Sequence, residues 1–223
     1  MKRSGVLLAA ALLLLVAAMG LKGRMLQLPG SAPASASGFS ADRAHGRLAY
    51  ILGDQRPHPV DSGENDAVRA RLIEQMRSVG LDPQVTDDFA CNSHPAVPGV
   101  SCARVRNVVA TLGPTQGRHV LAVAHYDSTP VGPGAADDGI GVATLLEVAD
   151  RLRGKTLRRR VTFLINEGEE AGLIGARAFT ERHPIAGRVE ALVNLEARGV
   201  EGPAIMFETS QPNGRALATY ART

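Results

Sequence analysis

The sequence predicts an α/β fold in which helices cover both faces of a largely parallel sheet. Beyond residue 40, short apolar runs alternate with segments whose apolar residues recur at helical spacing, which is typical of this class. Residues able to bind a metal directly follow several of the apolar runs. The chain has 223 residues, of which 44% are hydrophobic, so we expect one domain with one sizeable core besides a leader.

The N-terminal segment has the features of an export signal. Lys2 and Arg3 precede an unbroken stretch of small and apolar residues at 5–21. The stretch is short for a bilayer span, but residues 18–20 make a poor cleavage site and Lys22 follows at once. We therefore expect residues 1–25 to be a signal anchor, with a cleaved signal peptide as the alternative. The protein would face the periplasm or the exterior at the membrane, or be secreted after cleavage.

Residues 26–39 are expected to be a flexible linker to a single domain at 40–223, because small, uncharged residues fill most of the segment. The net charge of +3 comes largely from the leader: without the four basic residues that precede residue 39, 21 basic residues remain against 22 acidic ones. The arginines are scattered and Trp is absent. The sequence therefore lacks the pattern of a nucleic-acid-binding protein.

The domain is expected to begin with two helices. Ser40 precedes a helical pattern that carries Leu48, Ile51 and Leu52, and a second pattern ends at Gly80. The remaining expected elements are strands at 105–112, 120–124, 161–165 and 191–195, helices at 139–153 and 171–182, a further strand at 204–207 and a helix from 213 onward.

The chain has two cysteines, Cys91 and Cys102, eleven positions apart. Export would place them where disulfides persist, so we expect a local disulfide between them. Two free, buried cysteines are the alternative. A zinc site is disfavoured because the spacing is not that of a Cys-x-x-Cys pair.

Residues with ligand chemistry lie where the predicted strands end. His125 follows the strand at 120–124, Glu170 follows the strand at 161–165, and Glu196 follows the strand at 191–195. Asp137 precedes the helix at 139–153. The carboxyl ends of parallel strands meet at one edge of a sheet, and imidazole and carboxylate are ligands of zinc. Each acid alone would be read as a helix cap or a solvated loop residue, but four converging connections favour a metal site.

Four motifs surround these residues: His-Tyr-Asp-Ser at 125–128, Gly-Pro-Gly-Ala-Ala-Asp-Asp-Gly-Ile-Gly at 132–141, Glu-Glu-Ala-Gly-Leu-Ile-Gly-Ala at 169–176 and Asn-Leu-Glu-Ala-Arg-Gly at 194–199. They resemble those of the co-catalytic di-zinc aminopeptidases, a family that also includes glutamate carboxypeptidases and, as single-zinc relatives, glutaminyl cyclases. The motif at 194–199 resembles the form found in membrane-anchored endoplasmic-reticulum and vacuolar members. The resemblance covers roughly residues 40–210 and implies a three-layer αβα fold with a mixed, mostly parallel sheet of the zinc-peptidase type.

The resemblance implies two zinc ions and assigns their ligands. His125 and Glu196 would bind one ion, Glu170 would bind the other, and Asp137 would bridge them. The family also has a cis peptide after the bridging aspartate, so Asp138 is expected to serve the backbone there.

The resemblance also implies roles for two further acids. Asp127 would accept the imidazole N–H of His125 and fix its tautomer, as metal-bound histidines commonly require. Glu169 would be the general base that takes a proton from water and passes it to the leaving amine. The alternatives are a loop-capping acid at Asp127 and a solvated glutamate pair at a helix start, where acids also complement the helix dipole.

The sequence departs from the family pattern in two places. Di-zinc members use a further histidine late in the chain, but no histidine follows His183, which precedes the Glu196 strand and is expected at the surface. We therefore expect a C-terminally truncated part of a longer protein, in which the second zinc site is incomplete. Glu196 also stands where many secreted members have aspartate. Glutaminyl cyclases tolerate glutamate there.

The sequence thus predicts a zinc-dependent exopeptidase acting on peptides, and the favoured activity is that of an aminopeptidase. A carboxypeptidase, a dipeptidase or a glutaminyl cyclase could use the same metal site. A non-catalytic interaction domain is the alternative from another class, because transferrin-receptor ectodomains keep this fold without the metals. The retention of all the predicted ligands argues against that alternative.

Overall fold

A computed structural model describes residues 2–24, 33–35, 37–93, 99–197 and 204–222. The predicted linker lies partly outside the described residues, as do the last two residues of the motif at 194–199. The chain divides into two units, one comprising Ser31–Val200 and the other Met1–Gly30 together with Glu201–Thr223. The helices and strands, in chain order, are α1 (Lys2–Arg24), α2 (Ala41–Leu52), α3 (Gly63–Ser78), β1 (Gln84–Val85), β2 (Asp88–Asn92), β3 (Ser101–Val105), β4 (Val108–Leu112), β5 (His119–His125), α4 (Ile140–Leu152), β6 (Arg160–Asn166), α5 (Ile174–Arg182), β7 (Val189–Asn194) and α6 (Gly214–Tyr220).

The larger unit is built on a mixed sheet whose described strands run in the order β1-β4-β6-β5-β7. Strand β5 pairs in parallel with β6 on one side and with β7 on the other. Strands β4 and β1 extend the sheet by antiparallel pairing. The parallel trio brings the carboxyl ends of β5, β6 and β7 to the same edge. Metal-binding residues were predicted after each of these strands.

Helices cover both faces of the sheet, which confirms the three-layer αβα prediction. One face carries the main core, in which Leu72 and Met76 of α3 and Leu146 of α4 pack on Phe163 of β6. The other face is covered by α5, where Phe179 packs against Leu121, Val123 and Leu164. Burial on both faces explains the continuous apolar runs of β4, β5 and β6, whereas the run in β7 is largely exposed.

The start of α2 follows the predicted cap. Ser40 is extended and its side chain accepts the backbone N–H of Arg43 at 3.2 Å. Helix α2 is then tied to α4 by Glu147, which is fully buried and meets Arg43 at 2.5 Å and Arg47 at 3.7 Å. A carboxylate without solvent contact requires such partners.

Three predicted elements differ from the structure. The run at 105–112 is divided between β3 and β4, because the backbone N–H of Arg106 and the side chain of Asn107 both hydrogen-bond to the buried Glu167 after β6. Helix α5 begins at Ile174 rather than at 171, since Gly172 and Leu173 have φ angles of 106° and 60°. Residues 204–207 form no strand.

A two-stranded hairpin, β2–β3, was not predicted. It forms a separate sheet in which Cys91 stands opposite Cys102. The two cysteines are joined by a disulfide with a Cα–Cα distance of 4.1 Å.

The smaller unit contains α1 and α6. Helix α1 is long and apolar enough to cross a membrane over Gly5–Lys22, by length and composition. In the C-terminal part of this unit, the Tyr220 hydroxyl donates to the carbonyl of Ala204 at 2.9 Å.

Candidate metal centre

Three of the four predicted metal-binding residues converge at the carboxyl edge of the sheet. His125 ends β5, Glu196 lies just beyond β7, and Asp137 lies in the irregular turn Ala135–Gly139 before α4. One ligand atom from each of these three residues lies within 4.8 Å of the others. His125 Nε2 is 3.0 Å from Asp137 Oδ1 and 3.9 Å from Glu196 Oε1.

The glutamate pair follows β6 on the same edge. Glu169 Oε2 lies 3.9 Å from His125 Nε2, so the expected general base borders the three-residue group. Glu170 is exposed and lies outside that group. Burial raises the pKa of Glu170, and so does the nearby Asp137 carboxylate.

His125 is fixed by bonds to both its ring and its backbone. Its Nδ1 bonds the backbone carbonyl of Asp127 at 3.0 Å, and its backbone N–H donates to Asp138 Oδ2 at 3.2 Å. With an N–H at Nδ1, Nε2 is the ring nitrogen directed toward the acids, and it can bind a metal ion once it gives up its own proton. Burial lowers the pKa of His125, but Asp127, Asp138 and Glu169 outweigh it and raise that pKa to about 10.

The carboxylate of Asp127 serves a different neighbour from the one expected. Its Oδ1 lies 3.5 Å from His125 Nδ1, which is long for a hydrogen bond. The two carboxylate oxygens instead accept the backbone N–H groups of Glu169 at 3.1 Å and of Glu170 at 3.2 Å. Asp127 therefore orients the imidazole through its backbone oxygen and holds the glutamate pair through its side chain.

Asp138 has the backbone role expected of it. It is 1% exposed, and its Oδ1 accepts the N–H of Gly141 in the first turn of α4 at 3.2 Å. A Cβ at Gly141 would lie 2.2 Å from this oxygen, so the close approach requires glycine. Burial raises the pKa of Asp138 to about 8. The peptide bond between Asp137 and Asp138 is cis.

The site concentrates negative charge on one side of a single imidazole. Burial raises the pKa of Glu169 to about 7 against the lowering effect of His125, and the Glu196 carboxylate raises it further. Burial likewise raises the pKa of Glu196. A divalent cation would relieve this repulsion, and an imidazole with carboxylates is a donor set that zinc accepts. The residues present therefore fit zinc.

Glu167 supports the site and was not identified from the sequence. It is fully buried one residue beyond β6, where it accepts the side-chain N–H of Asn65 at 3.0 Å and the backbone N–H of Asp61 at 3.3 Å. It also accepts the backbone N–H of Arg106. These bonds fix the end of β6 two residues before Glu169. The signal available in the sequence was a third glutamate directly after an apolar strand.

A family model for peptidase family M28 matches residues 107–223, more than half of the chain. The chain belongs to peptidase family M28. The match contains all four predicted metal-binding residues and both members of the glutamate pair.

Curated relatives of this M28 chain include fungal vacuolar membrane proteases. The protein from Lachancea thermotolerans is 35% identical over 180 residues, which are 73% of this chain and 19% of the relative. The protein from Schizosaccharomyces pombe is 32% identical over 213 residues, which are 88% of this chain and 24% of the relative. The chain thus spans about a fifth of the length of these relatives.

Solved structures similar to this M28 chain include cyclases and peptidases. A glutaminyl cyclase from Porphyromonas gingivalis has a TM-score of 0.63 at 25% identity, covering 74% of this chain and 61% of that one. A zinc-dependent exopeptidase from Parabacteroides distasonis has a TM-score of 0.63 at 20% identity, covering 83% and 70%. A zinc aminopeptidase from Bacillus subtilis has a TM-score of 0.62 at 15% identity, covering 74% and 71%. The last two similarities, at 20% and 15% identity, support the assignment of the fold alone.

Proposed function

We propose that this chain carries the metal centre of a zinc-dependent exopeptidase, and that the enzyme is an aminopeptidase which removes N-terminal residues from peptides. The observation that carries the proposal is the convergence of His125, Asp137 and Glu196 beside Glu169. The roles follow the family pattern: Asp137, with carboxylate oxygens for two ions, would bridge two zinc sites, and Glu170 would contribute to the second.

A zinc ion bound here would act as a Lewis acid toward the scissile carbonyl and lower the pKa of water. Glu169 supplies the proton transfer: its carboxylate takes a proton from the attacking water as the new C–O bond forms. It then gives that proton to the leaving nitrogen as the C–N bond breaks. Burial raises the pKa of Glu169 above the usual glutamate range, which helps this carboxylate to hold the proton between the two transfers.

Asp127 and His125 prepare the site for this chemistry. The Asp127 carbonyl holds the ring of His125 with Nε2 toward the acids, so one ligand needs no reorientation when the metal binds. The Asp127 carboxylate fixes the backbone of both glutamates. Glu169 can then direct its side chain to water while Glu170 directs its own toward Asp137.

Cyclisation of N-terminal glutamine is the second candidate, favoured by the likeness to the Porphyromonas gingivalis glutaminyl cyclase. In that reaction the substrate's own amine replaces water, and Glu169 would carry the proton from the amine to the departing ammonia. The two candidates differ in whether a peptide bond is cut.

Metal content and substrate assays test the proposal together. Elemental analysis should find zinc in the wild-type chain and little in Asp137→Ala. Aminoacyl anilides should be hydrolysed, with a loss of about a hundredfold or more in kcat for Glu169→Gln while zinc is retained. Glu190→Gln, an exposed change at the opposite end of β7, is the matched control.

Release only from the carboxyl end of amino-blocked peptides would identify a carboxypeptidase, and ammonia release without cleavage would identify a cyclase. Absence of zinc would leave a binding domain.

A further inference from the structure

We propose that Asn92 is a positioning residue for the turn that carries Glu169 and Glu170, and that the Cys91–Cys102 disulfide holds Asn92 in place. The expected effect of Asn92 on catalysis rests on the proposed function. The contacts of Asn92 are independent of that function. These contacts involve the β2–β3 hairpin, whose residues have no role in the proposed metal chemistry.

The turn that follows β6 is closed by backbone hydrogen bonds around one carbonyl. The N–H groups of Gly172 and Leu173 both donate to the carbonyl of Glu169 at 2.8 Å, and Ile174 donates to Gly168 at 2.9 Å. Asp127 fixes the beginning of the turn through the N–H groups of its glutamates. The end of the turn needs a separate attachment, because Gly172 has φ of 106° and glycine is the most freely moving residue.

Asn92 provides that attachment. Its side-chain amide donates to the carbonyl of Gly172 at 2.8 Å. The oxygen of the same amide accepts Arg177 Nη1 of α5 at 2.8 Å and the N–H of Ser93 at 3.0 Å. One half-buried side chain therefore connects the hairpin, the glutamate turn and α5.

Apolar packing places the hairpin against the same turn. Ala90 of β2 and Val105 of β3 form a buried cluster with Ile174 and Ala178 of α5. Val105 also lies so close to the turn that a Cβ at Gly168 would come within 3.1 Å of it. The hairpin thus supports the turn at both of its ends.

The disulfide lies one residue from Asn92. Cys91 and Cys102 are direct partners in the hairpin, and Asn92 pairs with Ser101 beyond them. The Asn92–Ser101 pair is the last described pair of the hairpin, and terminal pairs fray unless something ties them down. The cross-link therefore keeps Asn92 within reach of Gly172.

Asn92→Asp is the variant that separates positioning from folding. Aspartate keeps an oxygen for Arg177 but removes the donor to Gly172, and it sets a negative charge against that carbonyl. We expect amide hydrogen exchange at 172–174 to rise about fivefold or more, the effect of one hydrogen bond, while exchange in β5 and β6 is unchanged. Zinc affinity, measured by competition with a chromophoric chelator, should fall several-fold because Glu170 lies in the same turn.

Three comparisons complete the test. Ser93→Ala, an exposed change next to Asn92, should leave exchange and zinc affinity unaltered. Reduction of the disulfide in the wild-type protein should raise exchange at 172–174 and lower zinc affinity as Asn92→Asp does. If Asn92→Asp does not fold, the reduced wild-type protein serves as the test instead. If the protein is active, Asn92→Asp should lower kcat while KM stays within about twofold of the wild-type value, since a positioning residue does not touch the substrate.

Unchanged exchange at 172–174, or an equal rise throughout the sheet, would overturn the proposal. Exchange and zinc affinity need no substrate, so they decide the role of Asn92 even if the wild-type chain cleaves no peptide. A failure of the proposed function would instead appear as a wild-type chain without peptidase activity.

Discussion

At the residue scale, Asp127 acts on two neighbours through two different groups. The backbone carbonyl orients His125, and the buried carboxylate binds the N–H groups of Glu169 and Glu170. A carboxylate is required for the second role because both partners are donors. Residue type and order in the sequence predicted that Asp127 supports the site, but not which of its atoms would reach which neighbour.

Asp127→Asn tests the role of the carboxylate. The NH2 group of the new asparagine would face one of the two backbone N–H groups, and two donors cannot bond each other. The turn that carries Glu169 and Glu170 should therefore shift, while the bond between His125 and the backbone carbonyl of residue 127 remains. We expect kcat to fall about 10- to 100-fold, with a comparable loss of zinc affinity. The measurements are steady-state kinetics and chelator competition. Asp87→Asn in an exposed ion pair is the control, and a wild-type zinc affinity in Asp127→Asn would contradict the prediction.

His119, at the other end of β5, should make stability depend on pH. The ring is 1% exposed and its Nδ1 bonds Thr162 Oγ1 at 2.7 Å. Burial lowers the pKa of His119, and Arg160, Arg188 and His183 lower it further. The unfolded chain, with a histidine pKa of about 6.5, therefore binds the proton more readily than the folded chain.

The free energy of unfolding should accordingly fall as pH drops below about 6.5, and His119 should contribute no pH dependence above that. In urea unfolding at pH 8 and 5.5, the change in unfolding free energy should differ between wild type and His119→Gln by about 1 kcal/mol, with the wild type losing more stability at the lower pH. His45→Gln, at an exposed position of α2, should keep the wild-type dependence. An identical pH dependence in wild type and His119→Gln would show that His119 is not responsible.

At the element scale, regular patterns were predictable and irregular ones were not. Strand β6 and helix α4 agree with their expected ranges to within about one residue, because apolar periodicity and flanking polar residues define them. Helix α5 starts late because Leu173 adopts a positive φ, which no propensity predicts for a leucine. The β2–β3 hairpin was missed because its residues do not alternate between apolar and polar, so its disulfide was predicted without its strands.

Glu147 should be the most sensitive connection between α2 and α4. It is fully buried against Arg43 and Arg47, whose side chains are 19% and 14% exposed. Glu147→Ala would remove the carboxylate that pairs with both arginines and accepts the backbone N–H of Ser40 at 3.2 Å. We expect a loss of about 3 kcal/mol in unfolding free energy, measured by urea titration.

The exposed pair Asp87–Arg104 is the control for this effect. Both side chains are at least half exposed. Asp87→Ala should leave the free energy of unfolding close to that of the wild type, because exposed ion pairs contribute little to stability. An equally small cost for Glu147→Ala would mean that the arginines are satisfied by solvent and that the buried pair does not hold the helices together.

At the scale of the whole molecule, the M28 domain accompanies an apolar N-terminal helix. Helix α1 is long enough to span a bilayer, and the curated relatives are named as membrane proteases. Residues 18–20 favour retention of the leader over its cleavage. We propose that α1 anchors the chain with the metal centre outside the cytoplasm.

Fractionation tests the anchor. The full chain should remain with membranes after alkaline carbonate extraction and retain the mass of an uncleaved leader. A double change, Leu12→Arg with Leu13→Arg, should release much of it, since each central arginine costs about 3 kcal/mol in a spanning helix. The matched change to isoleucine at both positions should not. A shorter, soluble product from the wild-type chain would indicate a cleaved signal peptide instead.

The strand order of the sheet also governs when the metal centre can exist during folding. Strand β5 must pair with β7, which lies later in the chain, before His125 meets Glu196. Contacts between such distant segments form slowly because long loops must close first. We therefore expect the ion-binding group to assemble late, so that zinc added during refolding binds at the rate at which β5 and β7 pair. Because zinc would bind only the finished arrangement, it would also stabilise the native state by mass action.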